Sequence, residues 1–161
     1  MAQLLIVYHS RTSGARQMAE AAAEAGRDEA VIVLKTADQA GPDDLLAADG
    51  YIFCAPENLA AISGLMKEFF DRSYYPVLGR IEGRPYAQMI CAGSDGENAA
   101  RQTARIATGW RLKEVQPPLI ICTHAQSPEA ILAEKTIPED QLDQCREIGA
   151  AMAAGLSLGV F

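Results

Sequence analysis

Three stretches of this sequence gather residue types suited to holding a phosphorylated, flat ligand. The first is His9-Ser10-Arg11-Thr12-Ser13-Gly14-Ala15-Arg16, between an apolar run and an alanine-rich helical pattern. Three hydroxyls and a glycine stand where the unpaired N–H groups of a helix N-terminus and its dipole attract an anion. The loop lacks G-x-G-x-x-G and G-x-x-x-x-G-K-[ST], so dinucleotide and Walker-type nucleotide sites are disfavoured. A hydroxyl-rich loop without lysine suits a single phosphomonoester held by short hydrogen bonds. Taken alone, Ser10, Thr12 or Ser13 would read as helix caps and Arg11 and Arg16 as solvated charges.

The second stretch is Ala55-Pro56-Glu57-Asn58-Leu59-Ala60-Ala61-Ile62-Ser63. It is long for a strand-to-helix loop, and it mixes apolar and amide-bearing residues as the wall of a flat heterocycle would. The third is Gly93-Ser94-Asp95-Gly96-Glu97-Asn98. Its two glycines permit positive φ and expose backbone N–H groups that could bond ring carbonyls. Each stretch alone is an ordinary surface turn. Their significance depends on whether the fold brings them to one edge.

The elements around them predict that it does. Gln3–Tyr8, Ala30–Leu34, Gly50–Cys54, Tyr86–Ala92 and Leu119–Cys122 read as short apolar strands. Helical patterns alternate with them: about Ala15 to Ala25, closed by Gly26; Pro42–Ala48; a helix capped by Ser63 with Leu65, Met66, Phe69, Phe70 and Tyr74 on one stripe; Glu97–Trp110; and about Pro138 to Ala154. Thr123–Ile137 is the one irregular, insertion-like segment. Five βα units with nearly continuous apolar strands predict an α/β fold with a doubly wound five-stranded parallel sheet, order 2-1-3-4-5, in three layers. In such a sheet ligands sit outside the carboxyl ends of the strands, where the strand order reverses. The three loops follow the first, third and fourth strands.

Composition narrows the alternatives. With 161 residues, 49% of them hydrophobic, the chain suits one domain over 1–161 with a real core. The net charge of −7 argues against a nucleic-acid partner, which calls for a basic face. No apolar run reaches membrane-span length and no signal-peptide pattern opens the chain, so a cytoplasmic location is expected. Cys54, Cys91, Cys122 and Cys145 show no C-x-x-C spacing. The first three lie in or at the end of strand-like runs, and buried, reduced thiols are expected. No metal site is expected, since His9 and His124 have no carboxylate cluster near them. Both histidines could approach the site and read as structural or as supports to it, and Trp110 as core.

Two motif matches are set aside. Gly155-Leu156-Ser157-Leu158-Gly159 matches G-x-S-x-G, but it lies near the end with no following histidine and no strand-turn-helix context. A response regulator would need acidic residues ending the first strand and an aspartate ending the third; His9-Ser10 and Cys54-Ala55-Pro56 stand there.

Together these residues resemble a family. The run VYHSRTSGARQMAE resembles the flavodoxin-type phosphate loop, in which S-x-T-G-x-T follows the first strand. CAPENLAAISGLMKEFFDR and AGSDGENAARQTARI are similar to the second and third loops of flavodoxin-like NAD(P)H-dependent FMN reductases and quinone reductases. The resemblance covers essentially the whole chain and implies FMN as cofactor. It assigns Ser10, Arg11, Thr12, Ser13, Gly14 and Ala15 to the phosphate. Pro56, Glu57, Asn58, Leu59 and Ala60 would line the ring and ribityl chain, and Gly93, Ser94, Asp95 and Gly96 the other side of the ring. Ser13 stands where the family has a glycine, and Ala15 where it has its final threonine.

The function so implied is an FMN oxidoreductase that passes electrons from NAD(P)H, as co-substrate, to a quinone-like acceptor. No protein side chain need act as the catalytic group, because the flavin supplies the redox chemistry. A flavodoxin-type electron carrier is the second reading. Carriers of that type flank the ring with aromatics, and neither the second nor the third loop contains Trp, Tyr or Phe. A third, a non-redox binding module, takes its motive from Ser13 and Ala15. Partners are small-molecule donors and acceptors, with homo-oligomerisation expected by analogy with the quinone reductases.

Overall fold

The computed structural model describes residues 1–161. Its elements run β1 (Gln3–Tyr8), α1 (Gly14–Gly26), β2 (Val31–Thr36), α2 (Pro42–Ala47), β3 (Gly50–Asn58), β4 (Ala61–Ile62), α3 (Gly64–Val77), β5 (Pro85–Ala92), α4 (Glu97–Gly109), β6 (Lys113–Glu114), β7 (Leu119–Cys122), α5 (Pro128–Leu132) and α6 (Glu139–Leu158). The long strands pair in the parallel order β2-β1-β3-β5, with β6 and β7 both on the outer edge of β5. This is the doubly wound order expected. The fifth strand position is split in two. Val115 still donates to the Tyr86 carbonyl, but Pro117 and Pro118 carry no N–H for the ladder, and pairing resumes only at Leu119.

Strand alternation builds two cores, one on each face. Leu5, Val7, Tyr51, Phe53 and Ile90 point to Met66, Phe69 and Phe70 of α3 and to Trp110. Leu4, Ile6, Ile52, Cys54, Met89 and Cys91 point to Met18, Ala19 and Ala22 of α1 and to Cys145, Ile148 and Met152 of α6. The first layer is aromatic: Phe53 meets Phe70 edge-on at 5.2 Å, and Trp110 stacks on Tyr74 at 5.6 Å while donating Nε1–H to the Tyr74 carbonyl at 3.0 Å. Each such side chain contributes about 1.5–3 kcal/mol by burial. The second layer is aliphatic, and small residues where α1 meets α6 let the two helices lie close.

The structure differs from the sequence expectation at several points. β3 does not stop at Cys54: Ala55 and Pro56 go on pairing with Ile90 and Cys91, and Glu57 and Asn58 then pair back with Ile62 and Ala61 of β4. α6 continues to Leu158, ending on Gly159 at φ 67°. The irregular segment 123–137 contains the short helix α5, none of whose residues is buried. Cys122, on the half-covered edge strand β7, is only partly buried, whereas Cys54, Cys91 and Cys145 are buried.

The β3–β4 hairpin closes on Leu59 (φ 52°) and Ala60 (φ 60°), both left-handed and neither a glycine. Two positive φ values in a two-residue hairpin loop mark a type I′ turn, which favours Asn-Gly. The fully exposed Leu59 has no packing to offset that strain. Replacing Leu59-Ala60 by Asn-Gly should therefore raise stability by about 1–2 kcal/mol. A urea midpoint that fails to rise would show that the turn is not strained.

Candidate functional site

The loops after β1, β3 and β5 meet at the carboxyl edge of the sheet. In the first, no backbone N–H from Ser10 through Arg16 donates a hydrogen bond to the protein. Ser13, at φ 76°, turns the chain into α1 within that run. Successive free N–H groups around a left-handed residue form an anion-binding concavity. The Ser10 hydroxyl is buried and has no partner. The Ser13 hydroxyl accepts from Gln17 Nε2 (2.9 Å) and Arg16 Nη2 (3.2 Å), which leaves its own proton to donate.

Close packing seats this loop. A Cβ at position 14 would lie 2.7 Å from Cys91 Sγ, so Gly14 lets the first turn of α1 settle on β5. Cys54 donates its thiol proton to the Ala15 carbonyl at 3.4 Å. Burial pushes the Cys91 thiol up to about 11 and Cys145 to about 12, and raises Cys54 well above its usual value. These thiols stay protonated and act as small apolar groups rather than nucleophiles.

The second and third loops are joined by Glu57. Its carboxylate accepts from the backbone N–H groups of Gly96 (2.8 Å) and Ala99 (3.1 Å), capping the N-terminus of α4. Asn98 Nδ2 donates to the Ala60 carbonyl at 2.6 Å, and Gln102 Oε1 accepts from the Ile62 N–H at 2.8 Å. Glu57 thus fixes the hairpin against the third loop, while lining the crevice between them. A Cβ at Gly96 (φ 89°) would lie 2.5 Å from Ile120 Cγ2. The N–H groups of Leu59, Ala60, Gly93, Ser94 and Asp95 donate to nothing in the protein. His124 donates its backbone N–H to the Gly93 carbonyl at 2.8 Å, which brings the segment after β7 to the same edge.

Between these loops lies a crevice of about 70 Å³, touched by Thr12, Asn58, Cys91, Gly93, Ile131 and Lys135. Beside the first loop, a cleft of about 540 Å³ is bordered by His9, Ser10, Arg11, Arg16 and Asp38. His9 Nδ1 lies 2.8 Å from Ser63 Oγ, so it ties β1 to the start of α3. Desolvation lowers its pKa, opposed by the charge of Asp38. Sequence reading missed Gln17 and Lys135. Gln17 bridges the first loop to the Lys135 carbonyl (2.7 Å) and the Ile137 N–H (3.0 Å), and no local motif signals a contact across such separations.

A family model described as NADPH-dependent FMN reductase matches residues 39–126, more than half of the chain. The chain belongs to that family. As a member of this FMN reductase family it is an FMN-dependent oxidoreductase. It is also 28% identical over 170 residues to a flavodoxin from Aquifex aeolicus, covering 99% of this chain and 90% of that protein. An NAD(P)H dehydrogenase (quinone) from Acidithiobacillus ferrooxidans is 34% identical over 95 residues, which span 45% of this chain and 48% of the relative. Among solved structures, a flavodoxin WrbA-like protein from Agrobacterium tumefaciens superposes with a TM-score of 0.73 at 22% identity, covering 99% of each chain. A flavodoxin from the domain Archaea superposes with a TM-score of 0.74 at 15% identity, covering 96% of this chain and 98% of that one. The fold is flavodoxin-like. No helix is long and apolar enough to cross a membrane.

The residues present fit FMN. The free N–H groups from Ser10 to Arg16 and the orphaned Ser10 hydroxyl are donors lacking an acceptor, as a phosphate would require.

Proposed function

We propose that this chain passes electrons from NAD(P)H through FMN to a quinone-like acceptor, with FMN held by the three loops. When bound, FMN supplies the redox chemistry. Ser10, Arg11, Thr12, Ser13, Gly14 and Ala15 hold the phosphate through backbone N–H groups and hydroxyls. Pro56, Asn58, Leu59 and Ala60 form the wall along the ribityl chain and ring, with Glu57 holding that wall in place. Gly93, Ser94, Asp95 and Gly96 lie across from it, and the free N–H groups of both loops suit the carbonyls of the ring.

The observation that carries the reading is the pair of ring-side loops without aromatics, whose tip Leu59 extends into solvent. Neither loop offers a stacked Trp, Tyr or Phe to cover the ring. A nicotinamide, and then a quinone, could lie parallel to it with reacting atoms roughly 3–3.5 Å apart. The second reading, an electron carrier, is favoured by the similarity to the Aquifex flavodoxin along nearly the whole chain.

Anaerobic NADH or NADPH should bleach the visible absorbance of FMN-loaded protein, and turnover should be faster with a benzoquinone than with oxygen alone. Leu59→Trp should slow that turnover more than it weakens FMN. If the flavin stays oxidised under both nucleotides yet is reduced by a partner flavoprotein, the carrier reading replaces the enzyme reading.

A further inference from the structure

The phosphate loop carries no lysine of its own, but the fold brings one to it. The N–H of Lys135 donates to the Thr12 carbonyl at 2.8 Å, and its carbonyl accepts from Gln17 Nε2 at 2.7 Å. Its stem covers the first turn of α1: Lys135 Cβ would lie 3.7 Å from a Cβ placed on Gly14. The ammonium reaches Thr12 Oγ1 (3.4 Å) and the carbonyls of Ile131 (2.9 Å) and Ala133 (2.5 Å). All three acceptors are neutral, and Lys135 takes part in no ion pair. An unneutralised ammonium therefore sits against the Thr12 hydroxyl of the turn that carries the free N–H groups.

We propose that Lys135 is a phosphate-binding residue of the flavin site, reading the FMN phosphate as a charge partner from outside the loop. The inference rests on the FMN reading above. It also answers a departure of the loop from its family, since Ala15 supplies no hydroxyl where the family has a threonine. The crevice of about 70 Å³ between the loops is small beside the roughly 300 Å³ at which ligand pockets begin, and Ile131 borders it. Opening that space moves α5, which buries none of its residues. The backbone of Lys135 stays clamped by Thr12 and Gln17 while the ammonium exchanges the carbonyls of Ile131 and Ala133 for phosphate oxygens. A charge-assisted bond to a dianion replaces contacts to neutral carbonyls.

The test is titration of FMN and of riboflavin, followed by flavin fluorescence, into the flavin-free full chain and its Lys135→Met and Lys135→Arg variants at low and high salt. Lys135→Met should weaken FMN roughly tenfold while riboflavin changes little, and should flatten the salt dependence of FMN binding. Lys135→Arg should keep most of the FMN affinity. Equal losses for both flavins would assign Lys135 a structural role as the cap of α5 and overturn the proposal. Unchanged FMN affinity in Lys135→Met would overturn it while leaving the FMN reading intact. Wild-type protein that binds neither flavin would overturn both.

Discussion

Gly149→Ala should destabilise the protein by about 3 kcal/mol or more, at or beyond the upper end of ordinary overpacking. A Cβ at position 149 would lie 2.0 Å from the carbonyl oxygen of Ala22, and 2.6 and 2.7 Å from its C and Cα. These are backbone atoms of α1 and no rotamer change can remove them, so α6 must move off the helix it packs on. The cost arises because the α1–α6 contact is built from alanine and glycine, with Ala19, Ala22, Ala23 and Ala153 fully buried. Gly155→Ala is the control on the same helix. There the nearest atoms belong to the exposed ring of Phe161, at 2.2 Å, and such a side chain can swing aside. Urea unfolding of the two variants decides the matter: a loss for Gly149→Ala no greater than for Gly155→Ala would show that helix spacing is not set by position 149. The displacement would also reach the proposed phosphate loop, which α1 presents at its N-terminus.

Much of this architecture is written in short-range pattern. Runs such as Leu4–Val7 are apolar at every position because both faces of β1 are covered, and Leu119–Cys122 matches its strand without adjustment. The hydroxyl-rich turn into α1 was legible too, since its free N–H groups and hydroxyls follow from local sequence. Ser13, which departs from the family glycine, proves to sit at the positive φ that a glycine would favour. What escaped the sequence depends on distant partners. Pro56 reads as part of a loop, yet it goes on pairing with Cys91, its carbonyl accepts from Ser63 and the chain turns back as a hairpin. Leu59-Ala60 lacks the Asn-Gly signature of a tight turn, so that hairpin was invisible. Lys135 lies in a segment without periodicity, and only the path from β7 back to α6 lays it on Thr12. Cys122 reads as buried from its apolar neighbours, but nothing local says that β7 is the edge.

Glu57→Ala should cost about 2 kcal/mol of stability and weaken FMN and riboflavin together, by roughly tenfold each. The argument starts from the unpaired donors that open every helix. At the start of α4 two of them, from Gly96 and Ala99, point at one carboxylate that belongs to a different loop. An anion there also meets the positive end of the helix dipole. Removing it leaves those donors unpaired and frees the β3–β4 hairpin, which then keeps only Asn98 to Ala60 and Ile62 to Gln102 as polar ties to α4. Under the proposed placement, Leu59, Ala60, Gly93, Ser94 and Asp95 present their N–H groups to the ring, so loosening the hairpin degrades both walls of the ring pocket. The phosphate end stays intact, and for that reason the two flavins should lose affinity in parallel, unlike the phosphate-selective loss expected at Lys135. Glu57→Gln should fall between wild type and alanine, because one amide oxygen remains to accept while the NH₂ faces donors. Amide exchange at Gly96 and Ala99 reports the cap directly. Unchanged protection there, or riboflavin affinity equal to wild type in Glu57→Ala, would mean that the carboxylate does not hold the two loops together.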